Sequence, residues 1–198
     1  MGYSNFKKLK SVTEKFNLKA VRERLFPQIN PIEPSAWLEE TLMISELLPL
    51  NNEKSKSERI VSPVLTEVAR SYIGNISFFS GDELNVKSEE DLSGACDFFF
   101  TLVPKSPFIE APIISLAEAK NEDMEHGRAQ CAAQLYGAKL FNEMEGRDLP
   151  VLFGCATDGI EWQFMRFENN TFLIDTKIYT QIPEILGVWH TVVQFFLK

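Results

Sequence analysis

Histidine and cysteine are scarce in this 198-residue chain, with two of the first and three of the second. His126 and His190 lack ligand-like spacing, while Cys96, Cys131 and Cys155 lie far apart and form no CxxC pair. That pattern argues against a zinc site and for reduced, buried thiols. Any metal chemistry must then rest on carboxylates, which suit magnesium, manganese or calcium. No stretch approaches the ~18 uninterrupted apolar residues of a membrane span. The opening "MGYSNFKKLK" lacks the apolar core of a signal peptide. Phe6 occupies the place where a myristoylation signal wants Ser or Thr, so Gly2 is not expected to be acylated. The expectation is a cytoplasmic protein with no membrane partner. Internal repeats and low-complexity tracts are also missing.

A hydrophobic fraction of 44% and a charged fraction of 24% are those of an ordinary globular chain. Its length suits one domain with room for an appendage. The net charge of −8 argues against a protein that coats nucleic acid, but the charge is uneven. Residues 1–24 carry seven basic side chains against Glu14 and Glu23, a net +5 that leaves −13 for the remainder. Such an arm can supply phosphate contacts, although the solvated face of an amphipathic helix is the more common reason for the pattern.

Phe6, Leu9, Val12 and Phe16 recur at helical spacing, and Asn17 is placed to cap a second short helix through Leu25. Pro27, Pro31 and Pro34 break the chain before "SAWLEETLMISELL", a helix capped by Ser35. Polar "PLNNEKSKSER" predicts a loop or linker at Pro49–Ser57. Residues 1–56 thus read as a helical N-terminal extension and linker, and 57–198 as a compact α/β unit. That unit opens with a helix in "SERIVSPVLTEVARSY", whose start Pro63 leaves uncertain. Strands follow in "ISFFSGDELNV", "SGACDFFFTLVP" and the continuous apolar "APIISLAEAK", the last as a central strand buried on both faces should be. A long helix runs from Met124 to Glu145 with Asp123 as its cap, and Glu122 and Glu125 add charges that suit a helix start. Asp158-Gly159 and Asn169-Asn170 mark hairpins in the next strands, and Pro183 starts a closing apolar helix. The order predicts a mixed sheet flanked by helices.

The chemistry concentrates in "ISLAEAKNED". Residues i and i+2 of a strand share a face roughly 6.6 Å apart, so Glu118 and Lys120 point together at its end. Asp97 interrupts the preceding apolar strand, where an acid is costly to bury unless paired or metal-bound. An antiparallel pairing of these strands lets Asp97 reach Glu118. The plain alternative is a strand-end ion pair worth at most about 1 kcal/mol. Two carboxylates and a lysine are also what phosphodiester hydrolysis needs. The acids hold a hard dication, with the Ala119 carbonyl as a third ligand, and the lysine orients water or offsets developing charge. Gln130 and Gln134, one turn apart on the following helix, are candidates to contact water or substrate. Trp162 and Phe164 read as core.

Cys96-Asp97, then Glu118-Ala119-Lys120, then a helix bearing glutamine resembles the PD-(D/E)xK nuclease superfamily, the restriction-endonuclease-like fold. With "SERIVSPVLTEV" and "ATDGIEWQFMRF", the stretch Ser57–Tyr179 is similar to the N-terminal nuclease domain of type I restriction R subunits. The resemblance implies an α-β-β-β-α-β core and a Mg²⁺- or Mn²⁺-dependent nuclease, with DNA as the expected substrate. Asp97 and Glu118 would bind the metal and Lys120 would be the catalytic lysine. An acid on the first helix often completes such a site; Glu58 matches best and Glu67 competes. Cys96 stands where the family usually has proline, and the helix glutamine is spaced differently from that of the type I group. A catalytically inactive binding or assembly module of the same fold is the alternative. The sequence leaves oligomeric state open, with a homodimer as one option.

Overall fold

The continuous apolar run becomes strand β4 (Ile113–Ala119), buried at every position as a two-sided central strand requires. The computed structural model describes residues 2–120 and 123–198; Glu122 lies outside the described residues. The other strands are β1 (Lys19–Glu23), β2 (Ser77–Ser80), β3 (Phe98–Thr101), β5 (Val151–Thr157), β6 (Trp162–Glu168) and β7 (Thr171–Asp175). Together they form one mixed sheet in the order β1-β7-β6-β5-β4-β3-β2. β4 runs antiparallel to β3 and parallel to β5. A parallel neighbour needs a crossover, here helix α5 (Met124–Met144).

Each sheet face has its own core. One contains Phe99, Leu116, Leu152 and Met165 beneath α5. The other contains Phe98, Ile114, Phe164 and Trp162 against α4 (Ser62–Ser71) and α6 (Ile182–Phe196). The thiols of Cys96, Cys131 and Cys155 are buried and free, and Trp162 and Phe164 are core residues, as the sequence predicts. Small residues let α5 lie close to the sheet. A Cβ on Gly154 of β5 would sit 2.7 Å from Leu135 Cδ1 and 2.8 Å from Cys131 Sγ. Asp123 caps α5 by accepting from the His126 N–H at 2.9 Å. Asn169 and Asn170 both take left-handed φ, the conformation a two-residue β6–β7 hairpin demands.

The region before Ser57 departs from an all-helical extension. Helix α1 (Leu9–Phe16) ends at Asn17, whose left-handed backbone sends its N–H back to the Thr13 carbonyl. Asn17 therefore closes one helix instead of starting another. Lys19–Glu23 then pairs in parallel with β7, so the predicted short helix through Leu25 is a strand. The i, i+4 pair Val21 and Leu25 imitates a helix, but a vacant sheet edge captures the segment. Phe16 packs on Tyr136 of α5, and Tyr3, Phe6 and Val12 enter the core beneath it.

Helix α2 (Ala36–Glu46) has the expected Ser35 cap but buries Leu38 while Trp37, Ile44 and Leu47 stay exposed. The predicted linker is largely helical. Asn52 and Ser55 form a capping box that starts α3 (Glu53–Lys56). A π-helical stretch, Ser57–Val61, joins it to α4. Pro63 sits in the first turn of α4, and the register change just before it accommodates a residue without an N–H. No helix among the described residues is long and apolar enough to cross a membrane.

Candidate active site at the end of the central strands

The antiparallel register ends at the Phe98–Ala117 pair, and Asp97, the residue just before β3, reaches the end of β4 through its side chain. Lys120 N–H bonds towards β5, at the Thr157 carbonyl, and the groups of Glu118 share that direction. The Ala119 N–H points the other way and donates to Asp97 Oδ2 at 2.8 Å. Burial raises the Asp97 pKa, while that N–H and the Lys120 charge pull it down.

Glu118 is fully buried. Its Oε2 accepts from Gln134 Nε2 at 2.7 Å. Lys120 Nζ lies 3.1 Å from Oε1, an ion-pair contact. Burial, reinforced by the Asp97 charge, pushes the Glu118 pKa up to about 8 despite Lys120 and Gln134. Lys120 also meets Glu53 Oε1 at 3.0 Å. Burial works against its ammonium, but Glu118 and Glu53 outweigh that and raise its pKa.

Beside these residues opens a cleft of about 360 Å³, lined by Asp97 and Ala119 on the sheet side and by Glu53, Ser57 and Glu58 on the helical side. Glu58 thus lies at the site, paired with Lys54 at 3.6 Å. Glu67 does not serve there. It accepts from the Ser35 N–H and hydroxyl at 3.0 Å each and pairs with Arg70 at 3.1 Å, fixing the start of α2. Of the two glutamines, Gln134 reaches Glu118, whereas buried Gln130 lines a separate cavity of about 200 Å³ with Gly2, Tyr3 and Ser93. Glu53 is the residue sequence reasoning missed; the N-x-x-S capping box at Asn52 was the signal that a helix began there.

Much of the basic arm is engaged locally. Lys15 pairs with Asp91 at 2.8 Å, Lys10 with Glu14 at 3.5 Å, and Arg24 with buried Asp175 at 3.2 Å. At the site itself Glu58 is balanced by Lys54, while Glu53, Asp97 and Glu118 surround the ammonium of Lys120. The fold relieves that imbalance by favouring a proton on Glu118; a dication would relieve it as well. Among the described residues no three His, Cys, Asp or Glu side chains form a metal-holding group. Two carboxylates and a backbone carbonyl nonetheless fit magnesium, which keeps several waters and takes one or two protein carboxylates. Asp97 and Ala119 line the cleft, and Glu118 lies behind them with its Oε1 against the Lys120 ammonium. No model of a known protein family matches the chain, and comparison with the curated proteins finds no match either.

Proposed function

We propose that this chain is a divalent-metal-dependent nuclease that hydrolyses phosphodiester bonds, with DNA as substrate, on a restriction-endonuclease-like core. One observation carries the reading: the Asp97 carboxylate accepts from the Ala119 N–H next to Glu118, with Lys120 Nζ 3.1 Å from Glu118 and a cleft alongside. The succession α4, β2, β3, β4, α5, β5 supports it, because that is the order the resemblance implies.

Asp97, Glu118 and the Ala119 carbonyl would hold Mg²⁺ or Mn²⁺. The bound ion would polarise the phosphoryl oxygen and make a coordinated water more acidic. Gln134 fixes one oxygen of Glu118 and so orients the other towards Lys120. Lys120 positions a water or offsets charge developing on the phosphate. Glu53 holds that ammonium in place across the cleft. Glu58, at the cleft wall, is the supporting acid on the helical side.

Incubation of purified protein with DNA and RNA, with Mg²⁺ or Mn²⁺ and with chelator, tests the proposal. Metal-dependent cleavage by the wild type, lost in Lys120→Ala and Asp97→Ala, is the expected result. Wild-type protein that is folded and cuts neither polymer overturns it. The acidic surplus at the site, on a chain of net charge −8, favours a second reading: a binding or assembly module that does not cut. Calorimetric titration separates the two, since the module predicts no heat with either metal.

A further inference from the structure

Strand β1 ends the sheet, and all five of its residues are exposed. Its inner side is used: Lys19 donates its N–H to the Asn170 carbonyl, and the Glu23 carbonyl accepts from the Thr176 N–H, both at 3.0 Å. In a parallel ladder the bonded residues alternate, so Lys19, Val21 and Glu23 bond inward. The main-chain groups of Ala20 and Arg22 consequently point out of the sheet. Such an edge invites another strand unless something blocks it. Here the side chains read Lys-Ala-Val-Arg-Glu, a pattern whose charges complement their own reversal.

We propose that β1 is the contact through which two copies of this chain associate, pairing antiparallel about a two-fold axis at Val21. Only outward-pointing residues can exchange bonds, which leaves three registers. An axis at Arg22 sets that guanidinium against itself, and an axis at Ala20 uses fewer of the outward groups. The axis at Val21 bonds Ala20 of each copy to Arg22 of the other. It also places Lys19 opposite Glu23 of the second copy, at both ends, in the closer non-hydrogen-bonded positions where cross-strand charge pairs count most. Val21, 46% exposed in the single chain, meets its own counterpart at the centre. The result is a self-complementary contact of the kind a closed dimer uses.

Sedimentation equilibrium tests this without reference to catalysis. The wild type is expected to dimerise reversibly. Lys19→Glu and Glu23→Lys each place like charges opposite each other twice and should weaken the dimer by about tenfold or more. Both positions are exposed, and circular dichroism checks that each variant is folded. An equimolar mixture of the two variants regains both attractions, so a heterodimer of wild-type affinity should appear. A wild type that stays monomeric at its highest soluble concentration overturns the proposal. Dimers that survive in each single variant overturn it equally, because another surface must then hold them.

Discussion

Glu118→Gln is expected to make the folded protein more stable while removing its chemistry. The folded-state pKa of Glu118 is pushed up to about 8 by burial first and the Asp97 charge second, whereas an exposed glutamate titrates near 4.5. Between these values the unfolded chain has lost a proton that the folded chain keeps. Stability from this group is therefore fully present below about pH 4.5 and is lost as pH rises through about 8. Three to four units at ~1.4 kcal/mol each make a total on the order of 5 kcal/mol, of which about 3 kcal/mol is already gone at pH 7. Glutamine carries no such burden and can still accept from Gln134. It gives up the attraction to Lys120, so these figures are ceilings.

Urea unfolding of both proteins at pH 5, 7 and 9, in chelator, reads the difference. The variant should gain about 1 kcal/mol or less at pH 5 and progressively more at pH 7 and 9. Millimolar Mg²⁺ at pH 8 should then raise the stability of the wild type and leave the variant unmoved, because only the wild type offers an ionisable carboxyl there. Parallel stability–pH curves for the two proteins would refute the argument, since they would mean that burial does not perturb Glu118.

Gln134→Leu leaves Glu118 Oε2 without its 2.7 Å donor. It should cost about 1–3 kcal/mol by urea unfolding and move the Glu118 titration to still higher pH by carboxyl-resolved NMR. Glu67→Ala frees the Ser35 N–H and hydroxyl at the start of α2. It is expected to cost about 1 kcal/mol in the same assay and leave cleavage unchanged. Asp97→Asn keeps an oxygen for the Ala119 N–H, so it should fold as the wild type does and lose cleavage. Asp97→Ala should lose a further ~1–3 kcal/mol of stability by orphaning that donor.

How far the sequence speaks for itself differs by element. β4 is legible because a mostly apolar stretch, Ile113–Ala117, leading into Glu-Ala-Lys fits a strand buried on two faces. An antiparallel β3–β4 pair brings Asp97 to the end of β4, but the contact is made by its side chain beyond the last ladder pair, which no sequence pattern reports. β1 is not legible, because none of its five residues is buried and its partner β7 lies some 150 positions away in the chain. Local pattern cannot report a pairing made entirely through the main chain. Glu53 was hidden by composition: the run Asn51–Ser57 is polar enough to look like a loop, although its capping box marks a helix start. Glu58 and Glu67 illustrate a third limit. Both sit on the same helical stretch with acidic side chains, and only tertiary packing assigns one to the cleft and the other to the Ser35 cap.

The acids of the site are held by groups that the fold itself leaves over. The β3 ladder stops at the Phe98–Ala117 pair, because the chain before it turns away: Cys96 donates to the Asp82 carbonyl and its own carbonyl accepts from Gly81. That turn would strand the Ala119 N–H in a buried place, and Asp97 accepts it. Glu118 lies on the face of β4 that α5 covers, and Gln134 meets it there because α5 packs closely on Ala156 and Gly154. One oxygen of each carboxyl is thus tied to the scaffold, Asp97 Oδ2 to the Ala119 N–H and Glu118 Oε2 to Gln134, while Glu118 Oε1 lies against the Lys120 ammonium. A carboxyl fixed in this way is preorganised: it loses little further freedom on taking a cation, while its raised pKa reflects the cost of holding it ready in the cation's absence.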